Sequence, residues 1–241
     1  MGKTFEWCGY YWKSDANGRT IHPDFPNWWY DESCINTTNG LLSLGIKDNP
    51  TVIKYWDGKT YTPRYGAGFF RSVDSFGYGT FECDCLLPIG KNLWSSFWLS
   101  GHESWPPEID ICENWTRDKG SYTYNLIEWK VETNIHYKFD NEDFKRSCGG
   151  DKICKLRFLK DPSKVWYHYK CVWEPDKITF YYNDKKVRTE KRKNILDTFK
   201  GKTMHVIFDL WPDETKKDYG SILDLPIEQR FMARNFKYTP L

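Results

Sequence analysis

The stretch from Leu93 to Thr116, LWSSFWLSGHESWPPEIDICENWT, constrains the fold more tightly than any other part of the chain. In a β-strand successive side chains point to opposite faces. Glu108 and Asp110 then share one face, and Ile109 and Ile111 share the other. Glu113, at an odd distance from Glu108, should face away. It returns to the Glu108 face only if one extra residue is inserted, which is what a β-bulge near Ile111 or Cys112 does. A kinked strand would thus line one groove with three acids, among Trp94, Trp98, Trp105 and Trp115.

Carboxylates held this close raise one another's pKa, so that one of them keeps its proton at neutral pH. Retaining glycoside hydrolysis needs that division: one ionised carboxylate as nucleophile and one protonated carboxyl as general acid, roughly 5–5.5 Å apart. Asp110, between them, would hydrogen-bond the nucleophile and help decide which group holds the proton. The bland alternative is a strand with an exposed acidic face, and it leaves the surrounding tryptophans unexplained.

Glu108-Ile109-Asp110-Ile111-Cys112-Glu113 resembles the E-[hydrophobic]-D-x-x-E signature of glycoside hydrolase family 16, the laminarinase, agarase and carrageenase group. The resemblance continues in Phe76-Gly77-Tyr78-Gly79-Thr80-Phe81-Glu82, in Leu87-Pro88, in Trp94-Ser95-Ser96-Phe97-Trp98-Leu99, and in Trp173-Glu174-Pro175-Asp176-Lys177-Ile178-Thr179-Phe180-Tyr181. These segments follow the family's order, within a resemblance that extends over about Asn39 to Trp211. The resemblance implies an all-β fold, a β-jelly-roll sandwich of two antiparallel sheets with a concave substrate cleft. It also implies Glu108 as nucleophile, Asp110 as helper and Glu113 as acid/base. There are departures. Tyr65-Gly66-Ala67-Gly68-Phe69 stands where laminarinases often carry an arginine that touches substrate, and Tyr167 replaces a family histidine. The six-residue motif also separates the chain from the lichenase branch, whose shorter E-x-D-x-E needs no bulge.

At 241 residues the chain fits one large β-sandwich, and residues 1–241 are expected to form a single catalytic domain. Aromatic residues make up 18% of it, more than a core alone usually needs, and flat rings suit the apolar faces of sugars. A net charge of +2 argues for neither a nucleic-acid partner nor a membrane surface. No apolar run approaches the roughly 18 residues of a membrane span. Met1-Gly2-Lys3-Thr4 leads into polar and aromatic residues rather than an apolar signal core. Eight cysteines are compatible with disulfides or with reduced core thiols. Cys83, Cys85 and Cys112 read as core, and without a paired C-x-x-C spacing no zinc site is expected.

Residues 1 to 38 read as an opening strand and a long loop, with Trp28-Trp29 either walling a subsite or packing on the sheet. Asn39-Gly40 marks a tight turn. Two strands are expected to pair around Val73 to Gly77, and in the second Glu82 shares a face with Asp84. By family resemblance Glu82 looks into the groove; otherwise it is an exposed sheet glutamate. Trp94, Ser96, Trp98 and Ser100 take one strand face, a mixture suited to a sugar platform. Asn134 and His136 fall together on another strand, as structural or cleft residues. Residues 140 to 164 read as a loop or insertion. Tyr167 to Tyr182 forms a hairpin turning at Pro175-Asp176, with a second turn at Asn183-Asp184. Asp184 to Lys202 holds eight Lys/Arg against three acids, either a solvated surface or a dock for an anionic polysaccharide. Met204, Val206, Phe208 and Leu210 alternate into the core, leaving Asp209 and Trp211 to close the far wall of the groove. Phe231 to Tyr238 is a last strand, and the single short helical turn is placed at Pro226 to Arg230.

The expected function is a retaining endo-glycosidase hydrolysing internal β-linkages of a β-1,3-glucan or of a β-galactan such as agar, porphyran or carrageenan. Glu108, Asp110 and Glu113 are its catalytic residues; Glu82, Trp94, Trp98, Trp105, Trp115, Asn134, His136, Asp209 and Trp211 bind substrate. The alternatives are a lectin-like binder without catalysis and a transglycosylase. A serine or cysteine hydrolase lacks its G-x-S-x-G elbow. The chemistry requires no cofactor or metal, with a structural calcium allowed by family analogy. A monomer is expected, acting on a polysaccharide or oligosaccharide outside the cell or at its surface by the same analogy. Of two N-x-[ST] sequons, the one at Asn114 would crowd the groove if glycosylated and is expected to stay bare.

Overall fold

The computed structural model describes residues 2–16, 20–22, 24–55, 58–88, 93–115, 131–139, 143, 145–146, 162–212 and 230–241, without the side chains of Trp115 and Arg146. In chain order the strands are β1 (Thr4–Trp7), β2 (Tyr10–Lys13), β3 (Trp28–Tyr30), β4 (Ile35–Thr38), β5 (Leu41–Leu44), β6 (Ile46–Asp48), β7 (Ile53–Lys54), β8 (Thr60–Tyr61), β9 (Tyr65–Phe76) and β10 (Gly79–Leu86). There follow β11 (Leu93–Gly101), β12 (Glu108–Trp115), β13 (Glu132–Tyr137), β14 (Lys145–Arg146), β15 (Tyr167–Glu174), β16 (Lys177–Tyr182), β17 (Lys185–Glu190), β18 (Met204–Pro212) and β19 (Phe231–Pro240). A single α-helical turn, α1 (Lys193–Leu196), precedes β18 and runs into a 3-10 turn at Asp197–Phe199; another 3-10 turn, Glu32–Cys34, precedes β4.

Two sheets form a jelly-roll sandwich. The first runs β1-β2-β9-β18-β11-β12-β13-β14, with β3 and β6 also on β9; the second runs β17-β16-β15-β10-β19-β5-β4. All pairings are antiparallel except that of β3, which lies parallel to β9. Between the sheets the inward residues of each strand interdigitate. Phe97, Phe208 and Phe70 come from the first sheet and Phe81, Trp173 and Phe180 from the second, all with essentially no exposed surface. Phe97 and Phe208 stack with centroids 4.6 Å apart, and Trp12 stacks on Phe70 at 4.8 Å. Offset aromatic pairs of this kind add to the burial of their large apolar areas.

The turns follow their residue chemistry. Asn39-Gly40 joins β4 to β5 with φ of 53° and 74°, and Asn183-Asp184 joins β16 to β17 with φ of 46° and 61°. Both are the left-handed pairs that two-residue hairpins require. Cys8-Gly9, at 52° and 79°, makes a third such turn. The chain therefore opens with a hairpin, β1 and β2, and not with one strand and a loop. Consecutive β9 and β10 do not pair either. β9 lies between β2 and β18 in the first sheet, whereas β10 lies between β15 and β19 in the second, so Gly77-Tyr78 carries the chain across the sandwich. The α-helical turn among the described residues is at Lys193–Leu196, where Ile195 and Leu196 are buried. Of the Pro226 to Arg230 turn, only Arg230 lies within the described residues.

Cys83, Cys85, Cys112 and Cys171 are fully buried free thiols; Cys34 is buried and Cys8 half-buried. Cys148 and Cys154 lie outside the described residues. No helix among the described residues is long and apolar enough to cross a membrane.

Candidate active site

The site is built on three adjacent strands, β11, β12 and β13. Along β11, Leu93, Phe97 and Leu99 turn into the core while Trp94 and Trp98 remain partly exposed on the other face. Along β12, Ile109, Ile111 and Cys112 are all fully buried, two of them consecutive. That pair marks the bulge. Trp98 pairs with Asp110 and Phe97 with Cys112, so Ile111 has no opposite residue on β11. Against β13 the register slips in the same place, with Asp110 opposite Asn134 and Glu113 opposite Glu132. The extra residue restores Glu113 to the face that carries Glu108 and Asp110.

A bulge frees backbone groups that the ladder would otherwise pair. Here the buried Tyr182, on β16 of the opposite sheet, donates its hydroxyl to the Ile111 carbonyl at 3.1 Å. The second sheet therefore holds the kink that sets the acids of the first.

Each of three acids accepts an indole N–H. Trp105 Nε1 donates to Glu108 Oε2 at 2.7 Å, Trp94 Nε1 to Glu113 Oε1 at 3.1 Å, and Trp98 Nε1 to Asp209 Oδ2 at 2.8 Å. Asn134 Nδ2 gives Glu113 Oε2 a second bond at 2.5 Å. His136 Nε2 lies 3.1 Å from Glu108 Oε1 and 3.3 Å from Asp110 Oδ2, between the two acids. Burial, then the charge of Asp110, pushes both Glu108 and Glu113 well above the usual carboxylate range; the indole bonds pull the other way without overcoming this. Asp209, 1% exposed, is pushed up to about 8 by burial against the bond from Trp98. Burial and the closeness of their charges therefore make it costly for all of these acids to be ionised together.

The two glutamates differ in their second neighbours. Glu108 has His136 Nε2 beside its Oε1. Glu113 faces Glu132, whose negative charge adds to the upward push on its carboxyl. Glu132 is absent from the sequence reading, although it lies at even spacing from Asn134 and His136 and shares their face. Carrying that alternation one step further back would have found it.

Most of the expected substrate contacts gather around this row. Asn134 and His136 lie on the acid face of β13, and Trp105 is half exposed beside Glu108. Trp94 meets Trp211 edge to face at 5.3 Å, and Trp211 meets Trp28 at 4.6 Å, forming an aromatic end to the cleft. Trp28 is buried and supports Trp211 from behind. Asp209 sits in the floor beside Ser96, under Trp98, and not in a far wall. Trp115 pairs with Trp94 through its backbone. Phe69 lies next to Asp209 but is covered by Tyr30, stacked at 4.3 Å.

Glu82 is not in the cleft. Alternation does put it on one face of β10 with Asp84, but β10 is central in the second sheet, so that face is the outer surface of the sandwich. There Glu82 Oε2 lies 3.4 Å from His168 Nε2, and His168 Nδ1 lies 2.9 Å from Asp84. Asn114 is 3% exposed, which fits a bare sequon. Burial raises the Cys112 thiol far above its ordinary pKa, the opposite of what a nucleophilic cysteine needs. Among the described residues one group, Glu108, Asp110 and His136, brings three ligand atoms within 4.8 Å of one another. A cation there would compete with His136 Nε2 for the facing oxygens of Glu108 and Asp110.

Residues 23–225 match the sequence profile of Glycosyl hydrolases family 16. Endo-1,3-1,4-beta-glycanase EglC of Rhizobium meliloti (strain 1021) is 24% identical over 195 residues, which is 76% of this chain and 38% of that protein. The chain thus spans well under half the length of this relative. The Bacteroides ovatus mixed linkage glucan GH16 in complex with its G4G4G3G product superposes with a TM-score of 0.66 at 19% identity, covering 95% of this chain and 94% of that one. The kappa-carrageenase from Pseudoalteromonas carrageenovora, in complex with an oligosaccharide of kappa-carrageenan, gives 0.65 at 14% identity, with coverage of 89% and 86%. These structural likenesses establish the shared fold, and the profile match over most of the sequence establishes the lineage: the chain belongs to glycosyl hydrolases family 16.

Proposed function

We propose that the chain is a retaining endo-glycosidase that cleaves internal β-linkages of a polysaccharide. Glu108 attacks the anomeric carbon as the glycosidic C–O bond breaks, and Glu113 gives its proton to the departing oxygen. Glu113, now a base, takes a proton from water; the water displaces Glu108 and the product leaves with its configuration retained. Asp110, whose Oδ2 lies 3.3 Å from the same His136 Nε2 that approaches Glu108, supports the nucleophile from the neighbouring position on the strand. Positive charge developing at the anomeric carbon meets a row of desolvated carboxylates, and such preorganised charge acts strongly where water is excluded.

The observation that carries this reading is the bulge at Ile111, which turns Glu108 and Glu113 to one face. Ser100 and Ser96 stand opposite them, so four strand steps of roughly 3.3 Å separate the two α-carbons by about 13 Å. Attack and protonation across one linkage require the two carboxyl groups to stand roughly 5–5.5 Å apart, and glutamate side chains are long enough to reach from those α-carbons toward a shared bond. A lectin-like binder would gain nothing from a buried row of acids with raised pKa values. A polymeric substrate too large to cross a membrane places the work outside the cell or at its surface.

The test is Glu108→Gln and Glu113→Gln, assayed against laminarin, mixed-linkage glucan, agarose, porphyran, carrageenan and mucin-type glycans. Each variant should fold normally and lose about a thousandfold or more of turnover on whichever polymer the wild type cleaves. Near-normal activity in either variant would overturn the assignment.

A further inference from the structure

We infer that a concavity at the Glu108 end of the cleft binds an anionic substituent, a sulfate ester or a carboxylate, carried by the glycan. The inference rests on the cleft reading above and extends it to substrate class. The cavity measures about 660 Å³ and is lined by the Ser104–Pro107 loop, the end of β13 and the segment after α1. It adjoins the acid row through the chain itself. Pro107 immediately precedes Glu108, and Lys138 lies two residues past His136, which is opposite Glu108 in the ladder. Trp105, flanked by the lining residues Ser104 and Pro106, donates its indole N–H to Glu108. A sugar seated on that half-exposed indole would have its substituents within reach of the cavity.

Three lysines from two segments, Lys138 after β13 and Lys200 and Lys202 after α1, line it. Lys138 and Lys200 make no ion pair among the described residues, and Lys202 reaches only the exposed Glu103, at 3.7 Å. The one acid in the lining, Asp197, is already matched by Lys193 at 2.7 Å. Thr198 and Asn194 add neutral hydrogen-bonding groups. The lining is thus cationic beside a cleft floor of carboxylates. That contrast sorts a charged glycan: an anionic group is repelled from Glu108, Asp110 and Glu113 and attracted to the rim. The basic run from Asp184 to Lys202 divides accordingly. Arg188 and Arg192 are committed to Glu190, and the end of the run, Lys200 and Lys202, reaches the cavity.

The test is affinity electrophoresis of the intact chain and of Lys138→Ala/Lys200→Ala through gels containing kappa-carrageenan (sulfate), a β-linked glucuronan (carboxylate) or neutral laminarin. Wild-type protein should be retarded by at least one anionic polymer, and the double variant should bind that polymer roughly tenfold more weakly, the effect of two partly exposed charge contacts. Which polymer responds tells sulfate from carboxylate. Laminarin mobility should be the same for both proteins, and a control variant, Lys185→Ala/Lys191→Ala, should match wild type throughout. Equal retardation of wild type and double variant in both anionic gels would overturn the proposal. So would an equal loss in laminarin or in the control, since the effect would then be general charge. The readout is binding and needs no turnover, so it stands or falls separately from the glutamate assignments.

Discussion

Replacing Tyr182 with Phe tests whether the second sheet sets the geometry of the acids. The hydroxyl donates to the Ile111 carbonyl at the bulge, and Tyr182 is 2% exposed, so water cannot readily replace it. A buried carbonyl left without its donor costs about 1–3 kcal/mol. For a chain of this size each kcal/mol lowers Tm by roughly 2–4 °C, giving a fall of about 2–12 °C. The same loss frees Ile111 to re-pair and lets Glu113 drift. A misplacement near 1 Å costs on the order of a hundredfold in rate, so kcat should fall about 10- to 100-fold with KM little changed. Thermal melts and initial rates on the best polymer from the substrate screen measure both effects. Tyr238→Phe is the control, since it removes a bond to the Tyr78 carbonyl far from the acids and should lower Tm without changing kcat. If Tyr182→Phe stayed within about 0.5 kcal/mol of wild type with kcat unchanged, the ladder alone would hold the bulge and the reasoning would fail.

Deleting Ile111 should leave Glu108, Asp110 and Glu113 on one face at even spacing, with Cys112 in the vacated core position; turnover should exceed that of Glu113→Gln by roughly tenfold or more, while the smaller side chain lowers stability by about 1–3 kcal/mol. Turnover no better than Glu113→Gln would show that facing is not what the bulge supplies. Asp209 has its folded pKa raised to about 8, so the folded state binds the extra proton and wild-type stability should decline from about pH 4 up to about pH 8. Asp209→Asn should flatten that decline in urea titrations across the range; an unchanged slope would contradict the buried proton. Glu132→Gln removes a like charge opposite Glu113 and should move the alkaline limb of the kcat/KM profile to lower pH. A limb that stayed in place would show that Glu132 does not reach the acid.

What could be read from residue order follows from local physics. The odd spacing from Glu108 to Glu113 demands a bulge if the two are to share a face, and Asn39-Gly40 and Asn183-Asp184 announce turns because few residues tolerate positive φ. Glu82 shows where such reading stops. Alternation assigns a side chain to a face, but in a two-sheet sandwich the polar face of a strand is cleft in one sheet and outer surface in the other. Only the pairing of β10 with β15 and β19 decides between them. The support that Tyr182 gives Ile111 was likewise hidden, because the two residues are 71 positions apart and meet only across the core. Trp28 read equally as a subsite wall or as packing until its burial behind Trp211 was seen. Lys138 and Lys200 became a pair only once β13 and the segment after α1 met at one cavity.

The central claim is that Glu108 forms a covalent bond to the sugar. Incubation with a 2-deoxy-2-fluoro glycoside of the preferred substrate bearing a good leaving group, followed by peptide mass mapping, tests it directly. One glycosyl adduct per chain, located on Glu108, is the expected result. An adduct on Glu113 or Asp110, or no adduct from an active enzyme that releases product of inverted configuration, would contradict it.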